Sequence, residues 1–118
     1  MKKDNSIYLH HIVDHLKNVS IYLSGFNYSH FLESQLHQDA VIRNLEVCGE
    51  ATKKISQDLK DKYPQISWRA MAGMRDKLIH DYFNVDLEIV WETAKNDVPN
   101  LIAVIEKIIT DLNNNSPT

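Results

Sequence analysis

The sequence predicts an all-α fold, an up-and-down bundle of four to five helices in a single domain over residues 1–118. Three observations carry that prediction. Gly and Pro together number six in 118 residues, about half the usual share, so little interrupts the chain. Apolar residues recur at three- and four-residue steps through most of it, the period of one helix face. An apolar fraction of 43% against 25% charged is enough to bury one core without staples.

Taken in order, the first helix spans about Asn5 to Leu23. Leu9, Ile12, Val13, Leu16, Val19 and Leu23 form its buried face, and Ser24-Gly25 ends it, Gly being the usual residue past a helix C-terminus. A short helix follows near Ser29 to Gln35, with Ser29 as its candidate cap. The long central helix is expected from about Gln38 to Asp61, with Val41, Leu45, Cys48, Ile55 and Leu59 as its stripe. Tyr63-Pro64 stops it, because a residue before proline avoids helical angles. Ser67 opens a shorter helix through Trp68, Met71, Met74, Leu78 and Ile79, interrupted at Gly73 and ending near His80 to Asn84. The last helix runs from Asp86 to Leu112. Pro99 lies inside it and predicts a kink or restart around Asn96-Asp97. Residues 113–118 read as a frayed, disordered polar tail.

The remaining composition excludes several classes. A net charge of −3 rules out a polycationic nucleic-acid coat, though not a local basic cleft. No apolar run approaches a membrane span, so no membrane partner is expected. The start, Met1-Lys2-Lys3-Asp4-Asn5-Ser6, leads into an amphipathic stretch rather than a signal-peptide core. A lone cysteine, Cys48, forms no internal disulfide and suits a reducing cytoplasm.

Chemistry concentrates in Arg75-Asp76-Lys77-Leu78-Ile79-His80-Asp81-Tyr82. An imidazole shuttles protons near neutral pH and a guanidinium clamps phosphate oxygens at two points. Together they suit cleavage of an RNA phosphodiester, with no metal required. On one ideal helix, however, Arg75 and His80 stand about 140° apart, while Arg75 and Tyr82 share a face. Either the helix ends near His80, which would set that residue at the negative end of the dipole, or a second copy completes the site. The plain alternative makes Arg75 and Asp76 solvated charges and His80 a terminal polar cap.

Arg75 to Tyr82 resembles the R-x4-H-x-Y form of the R-x4-6-H motif in HEPN domains of the HepT toxins. The likeness extends through Gln38 to Ala51, Ile66 to Asp76, His80 to Asp86 and Val90 to Thr93, covering roughly residues 5 to 112. The resemblance implies a HEPN-like all-helical homodimer with a cleft between protomers. It implies a metal-independent ribonuclease acting as the toxin of a toxin–antitoxin pair, with RNA as substrate. The implied partner is an MNT-family nucleotidyltransferase antitoxin, of the MntA type, that moves AMP from ATP onto the motif tyrosine. Residue by residue, Arg75 and His80 are then the catalytic pair and Tyr82 the AMP acceptor. A phenol carrying AMP gains bulk and negative charge beside Arg75, which opposes RNA binding.

Glu46 and Glu50, one turn apart, are candidate supports for a phosphate-binding arginine, as is Asp76. They can also hold a hard cation or be plain surface residues, but pairing of one of them with Arg43 or Arg75 ranks highest, because a guanidinium aimed at phosphate needs a group to hold it; the sequence does not choose between the two glutamates. Trp68, Met71, Met74 and Phe83 offer an apolar patch for a two-fold contact, or ordinary core. His10, His11 and His15 provide too few ligands for a metal. His30 and His37 flank a turn with no partner visible in sequence. Cys48 reads as a buried hydrophobe. Lys53, Lys54, Lys60 and Lys62 give a modestly basic helix end, diluted by Glu50, Asp58 and Asp61. No cofactor is expected. The competing function is a non-catalytic interaction module or a regulatory subunit of the nucleotidyltransferase, which would keep its complex and its biological effect on losing His80.

Overall fold

In the computed structural model, residues 4–74, 76, 79–81 and 84–114 are described, with backbone only at 79–81 and 84. The elements are α1 (Asn5–Tyr22), α2 (Tyr28–Leu32), α3 (Gln35–Lys53), α4 (Gln57–Lys62), α5 (Trp68–Ala72), β1 (Ile79–Asp81), β2 (Asn84–Val85), α6 (Leu87–Glu92), a π-helical turn (Thr93–Asp97) and α7 (Val98–Asn114). The fold is an all-α bundle carrying one small antiparallel pairing, β1 with β2.

α1 packs against both α3 and α7. Its stripe of Leu9, Ile12, Leu16 and Val19 is fully buried against Val41, Leu45 and Cys48 of α3 and Ile105 and Ile108 of α7. Burying side chains of this size contributes about 1.5–3 kcal/mol each. Polar groups fix the register of this contact. His15 Nδ1 donates to Asn44 Oδ1 at 2.7 Å, Asn18 Nδ2 donates to the same oxygen at 3.2 Å, and Asn44 Nδ2 donates to the Ala40 carbonyl at 2.7 Å. Asn44 is thereby satisfied though buried, which avoids the cost of an unpaired amide.

Helix ends follow local chemistry. Gly25, at φ 78°, ends the turn after α1, a conformation that costs glycine little. The cap of α2 is Asn27, not the expected Ser29. Asn27 Oδ1 accepts from the His30 N–H at 2.8 Å, and His30 Nδ1 accepts in return from the Asn27 N–H. The expected long helix is two helices. Ser56 breaks it by capping α4, its Oγ accepting from the Leu59 N–H, and Asn5 clips this junction to the start of α1 through two hydrogen bonds. Ile55 and Leu59 stay buried across the break, so the apolar stripe gave no sign of it.

Pro99 produces a π turn. In a continuous α-helix its ring would clash with the Lys95 carbonyl and leave that acceptor empty. The Val98 N–H instead bonds to the Thr93 carbonyl, five residues back, and the widened turn carries α6 into α7 at the predicted Asn96-Asp97 position. α7 continues through Asn113 and Asn114, two residues into the expected tail. Residues 115–118 lie outside the described residues. Trp68, Met71 and Met74 are buried within the protomer. They are core, not a spare patch for a two-fold contact, and Phe83 lies outside the described residues. No helix among the described residues is long and apolar enough to cross a membrane.

α3 meets α5 at Gly49. A Cβ there would come within 3.2 Å of the carbonyl oxygens of both Met71 and Ala72. Gly49→Val is expected to lower the unfolding free energy by about 1–3 kcal/mol through overpacking, read from urea melts of the two proteins. Beside Gly49, burial pushes the Cys48 thiol from 9.0 up to about 12. The folded state therefore keeps a proton that the unfolded state loses. That contribution to stability is complete below about pH 9 and is lost as pH rises toward 12. Iodoacetamide at pH 8 is expected to leave native Cys48 unmodified and to alkylate it promptly in denaturant. Prompt alkylation of the native protein would contradict this burial.

Candidate functional site

The chemistry-bearing segment begins where α5 ends. Trp68 anchors that helix, its Nε1–H donating to the Tyr63 carbonyl at 3.0 Å, and Gly49 lets the α5 backbone lie directly on α3. After Gly73, helical backbone recurs at Met74 and Asp76, and Asp76 is exposed. By Ile79 the chain is a strand. The helix is therefore not continuous from Arg75 to His80, and the 140° separation of an unbroken helix does not apply.

His80 stands in β1, not in the last turn of a helix, so the expected dipole effect on it is withdrawn. Ile79 pairs with Val85 and Asp81 with Asn84, and the register shifts between Ile79 and Asp81. His80 occupies that irregular position. Such bulges are frequent beside active sites. Its side chain, together with Arg75 and Tyr82 entirely, lies outside the described residues. β2 leads into α6 through Asp86, whose carboxylate accepts from the Ile89 N–H at 3.1 Å. Val85 packs against the core, so both ends of the segment are tied to the bundle.

The supporting candidates separate. Glu50 is exposed and pairs with Lys53 at 3.3 Å, an i,i+3 surface contact worth little. Glu46 is half-buried on α3, three residues before Gly49 and so on a neighbouring part of the face that meets α5. Arg43 is exposed.

Four of the other histidines take structural partners, His30 through the α2 cap. His10 Nδ1 bonds to the Ser6 carbonyl at 2.9 Å, His15 to Asn44, and His37 Nδ1 to the Ser34 hydroxyl. No cluster among the described residues has the ligand count for a metal. The Tyr63 hydroxyl donates to Asp111 at 3.2 Å. Desolvation, then that carboxylate's hydrogen bond and charge, raise its pKa.

Sequence reasoning missed two features. One is the strand pair, whose only signal was β-branched Ile79 and Val85 around aromatic Tyr82-Phe83. The other is an open cavity of about 500 Å³ beside α5, lined by residues that include Lys60 and Arg69.

Comparison with known proteins gives a consistent result. Residues 12–108 match the family described as ribonuclease HepT-like. A protein of Methanocaldococcus jannaschii, provisionally named an RNase, is 44% identical over 111 residues, 94% of this chain and 92% of that protein. A protein of Thermococcus cleftensis, provisionally named ribonuclease HepT, is 43% identical over 108 residues, 92% of this chain and 98% of that one. A provisionally named RNase of Caldanaerobacter subterraneus subsp. tengcongensis is 34% identical over 102 residues, 86% of this chain and 91% of its own length. No solved structure matches the chain significantly. With the match running through the bundle and across the whole Arg75–Tyr82 segment, the chain belongs to the HepT-like ribonuclease family.

Proposed function

We propose that this chain is a metal-independent endoribonuclease, the toxin of a HEPN/MNT toxin–antitoxin pair, acting as a homodimer in the cytoplasm. The observation that carries the reading is the family match over residues 12–108, which spans the sequence motif R-x4-H-x-Y at Arg75, His80 and Tyr82. Helical backbone at Asp76 gives way to strand by Ile79, which supports a site not built on one unbroken helix.

The chemistry needs only the motif's own groups. His80 takes the proton of a ribose 2′-hydroxyl as that oxygen attacks the adjacent phosphorus. The guanidinium of Arg75 neutralises the charge of the phosphorane. The P–O5′ bond breaks, and the leaving oxygen takes up a proton from an imidazolium, that of His80 or of its dimer mate. The products are a 2′,3′-cyclic phosphate and a 5′-hydroxyl. In this reading Glu46 rather than Glu50 supports Arg75; what favours it is that Glu46 is half-buried on α3 whereas Glu50 is exposed and pairs with Lys53.

Neutralisation acts at Tyr82. The phenolic oxygen attacks the α-phosphorus of ATP bound to the partner nucleotidyltransferase, pyrophosphate leaves, and the phenol proton is lost. The phosphodiester so formed places a negative charge and an adenosine where an RNA phosphate would approach.

Purified wild type is expected to cleave RNA in EDTA and leave cyclic phosphate ends. His80→Ala should lower the rate by about 100-fold or more. A dimeric, unmodified wild type that cuts no RNA would transfer the proposal to an interaction module. With the partner and ATP, wild type should gain the mass of one AMP per chain and lose activity, whereas Tyr82→Phe should stay active and unmodified. Uptake of AMP by Tyr82→Phe would refute the assignment of that residue.

A further inference from the structure

The cavity beside α5 has a charge character the chain as a whole lacks. Residues 51–72 carry five cations, Lys53, Lys54, Lys60, Lys62 and Arg69, against two carboxylates, Asp58 and Asp61. The chain's net charge is −3, so this stretch opposes the overall sign. Two of its cations, Lys60 from α4 and Arg69 from α5, line the same open cavity of about 500 Å³ with Gln57, Ser67 and Trp68. Neither makes an ion pair among the described residues. Asp61, the cavity's one carboxylate, accepts instead from Gln57 Nε2 at 2.8 Å.

The walls of the cavity are braced. The Trp68 indole donates to the Tyr63 carbonyl, and the Tyr63 N–H donates to the Lys60 carbonyl, which ties α4 to α5. Gly49 seats α5 on α3. The two cations therefore project from backbone whose relative position is set, a condition for binding a phosphate without a large ordering cost. Arg69 precedes Arg75 by six residues, which limits their Cα separation to about 20 Å even for a fully extended chain. A strand of RNA engaged by Arg75 thus reaches this cavity within a few nucleotides.

The neighbouring hollows set a direction. The basic cavity shares Ser67 with an apolar crevice that contains Met71, Met74 and Leu101, and that crevice shares Asp97 with a third hollow lined by Glu88 and Glu92. The surface therefore runs from cationic through apolar to anionic. A polyanion is attracted to the first end and repelled from the last.

We infer that the cavity between α4 and α5 is an RNA-binding subsite in which Lys60 and Arg69 hold a backbone phosphate flanking the one that is cleaved. The inference rests on the ribonuclease reading above, but its test is separable from it. A fluorescent single-stranded RNA is titrated with the His80→Ala protein, so that binding is read without cleavage, at several salt concentrations. Lys60→Glu and Arg69→Glu, made singly in that background, are expected to raise Kd about tenfold and to reduce the salt slope by about one. Lys107→Glu makes the same charge change on α7, where Lys107 is exposed, and is expected to change Kd by about twofold or less. Thermal melts matching the parent would show that the variants fold. Equal weakening by all three reversals would reduce the effect to net charge and overturn the subsite, as would unchanged binding by the two cavity variants. RNA that wild type binds through this cavity but does not cut would refute the ribonuclease reading and leave the subsite standing.

Discussion

Gly49 is the point on which the seating of α5 against α3 turns. Helix α3 and the α5 backbone approach so closely there that a β-carbon would press on two carbonyl oxygens at 3.2 Å. Both are backbone atoms of a short helix, and cannot swing aside as a side-chain end can. One glycine therefore fixes the height of α5 over α3. The same contact sets where Met74 enters the core and where the chemistry-bearing segment begins. The short α5 has little intrinsic stability. It persists because Trp68 and Met71 are buried and the indole N–H is bonded.

The far side of the segment is fixed differently. β2 passes into α6 through the Asp86 cap, and α6 continues into α7 only because the chain widens at Thr93–Asp97 to admit Pro99. The widened turn stays packed, with Thr93, Ala94 and Val98 all buried. Lys95, on the same turn, lies 4.9 Å from the Trp91 ring centre and donates to the Leu23 carbonyl at the end of α1. A proline that would break an isolated helix is thus absorbed by tertiary contacts, and α5 on one side of the motif and α6 on the other are both packed on the core.

How much of this was legible follows from the reach of each signal. The buried faces of α1, α3 and α7 were readable because burial of one face imposes a helical period that ten or more residues repeat. Pro99 announced its disturbance because its ring acts on the turn beside it. The break at Ser56 was hidden because the stripe stayed in phase across it and no Gly or Pro marked it. Asn27 was passed over for Ser29 because both residue types cap helices and only the backbone decides between them. β1 and β2 were missed because two- and three-residue strands carry too few alternations to compete with the helical period running into them. Gly49 carried no signal of its own, since its reason is a neighbour more than twenty residues away. The different surroundings of Glu46, half-buried, and Glu50, exposed beside Lys53, were likewise beyond what spacing encodes. The site chemistry was legible as residue types, whereas the helix-to-strand change that relates them was not.

Net charge is a poor guide to what such a chain binds. At about 0.1 M salt the field of an exposed charge decays over about 10 Å, while this bundle is 50 Å long. A phosphate therefore responds to the charges of one hollow rather than to the sum over the molecule. In a chain of net −3, the cations of residues 51–72 lie immediately before the motif, and residues 86–111 carry six carboxylates against two lysines immediately after it. The two stretches meet on one surface through Ser67, the apolar crevice and Asp97. A polyanionic strand on that surface has one favourable end, so charge order along the sequence becomes polarity of approach in space. The modification proposed at Tyr82 would act on the same balance, since a single added negative charge weighs more against a small local excess of cations than against a uniformly basic protein.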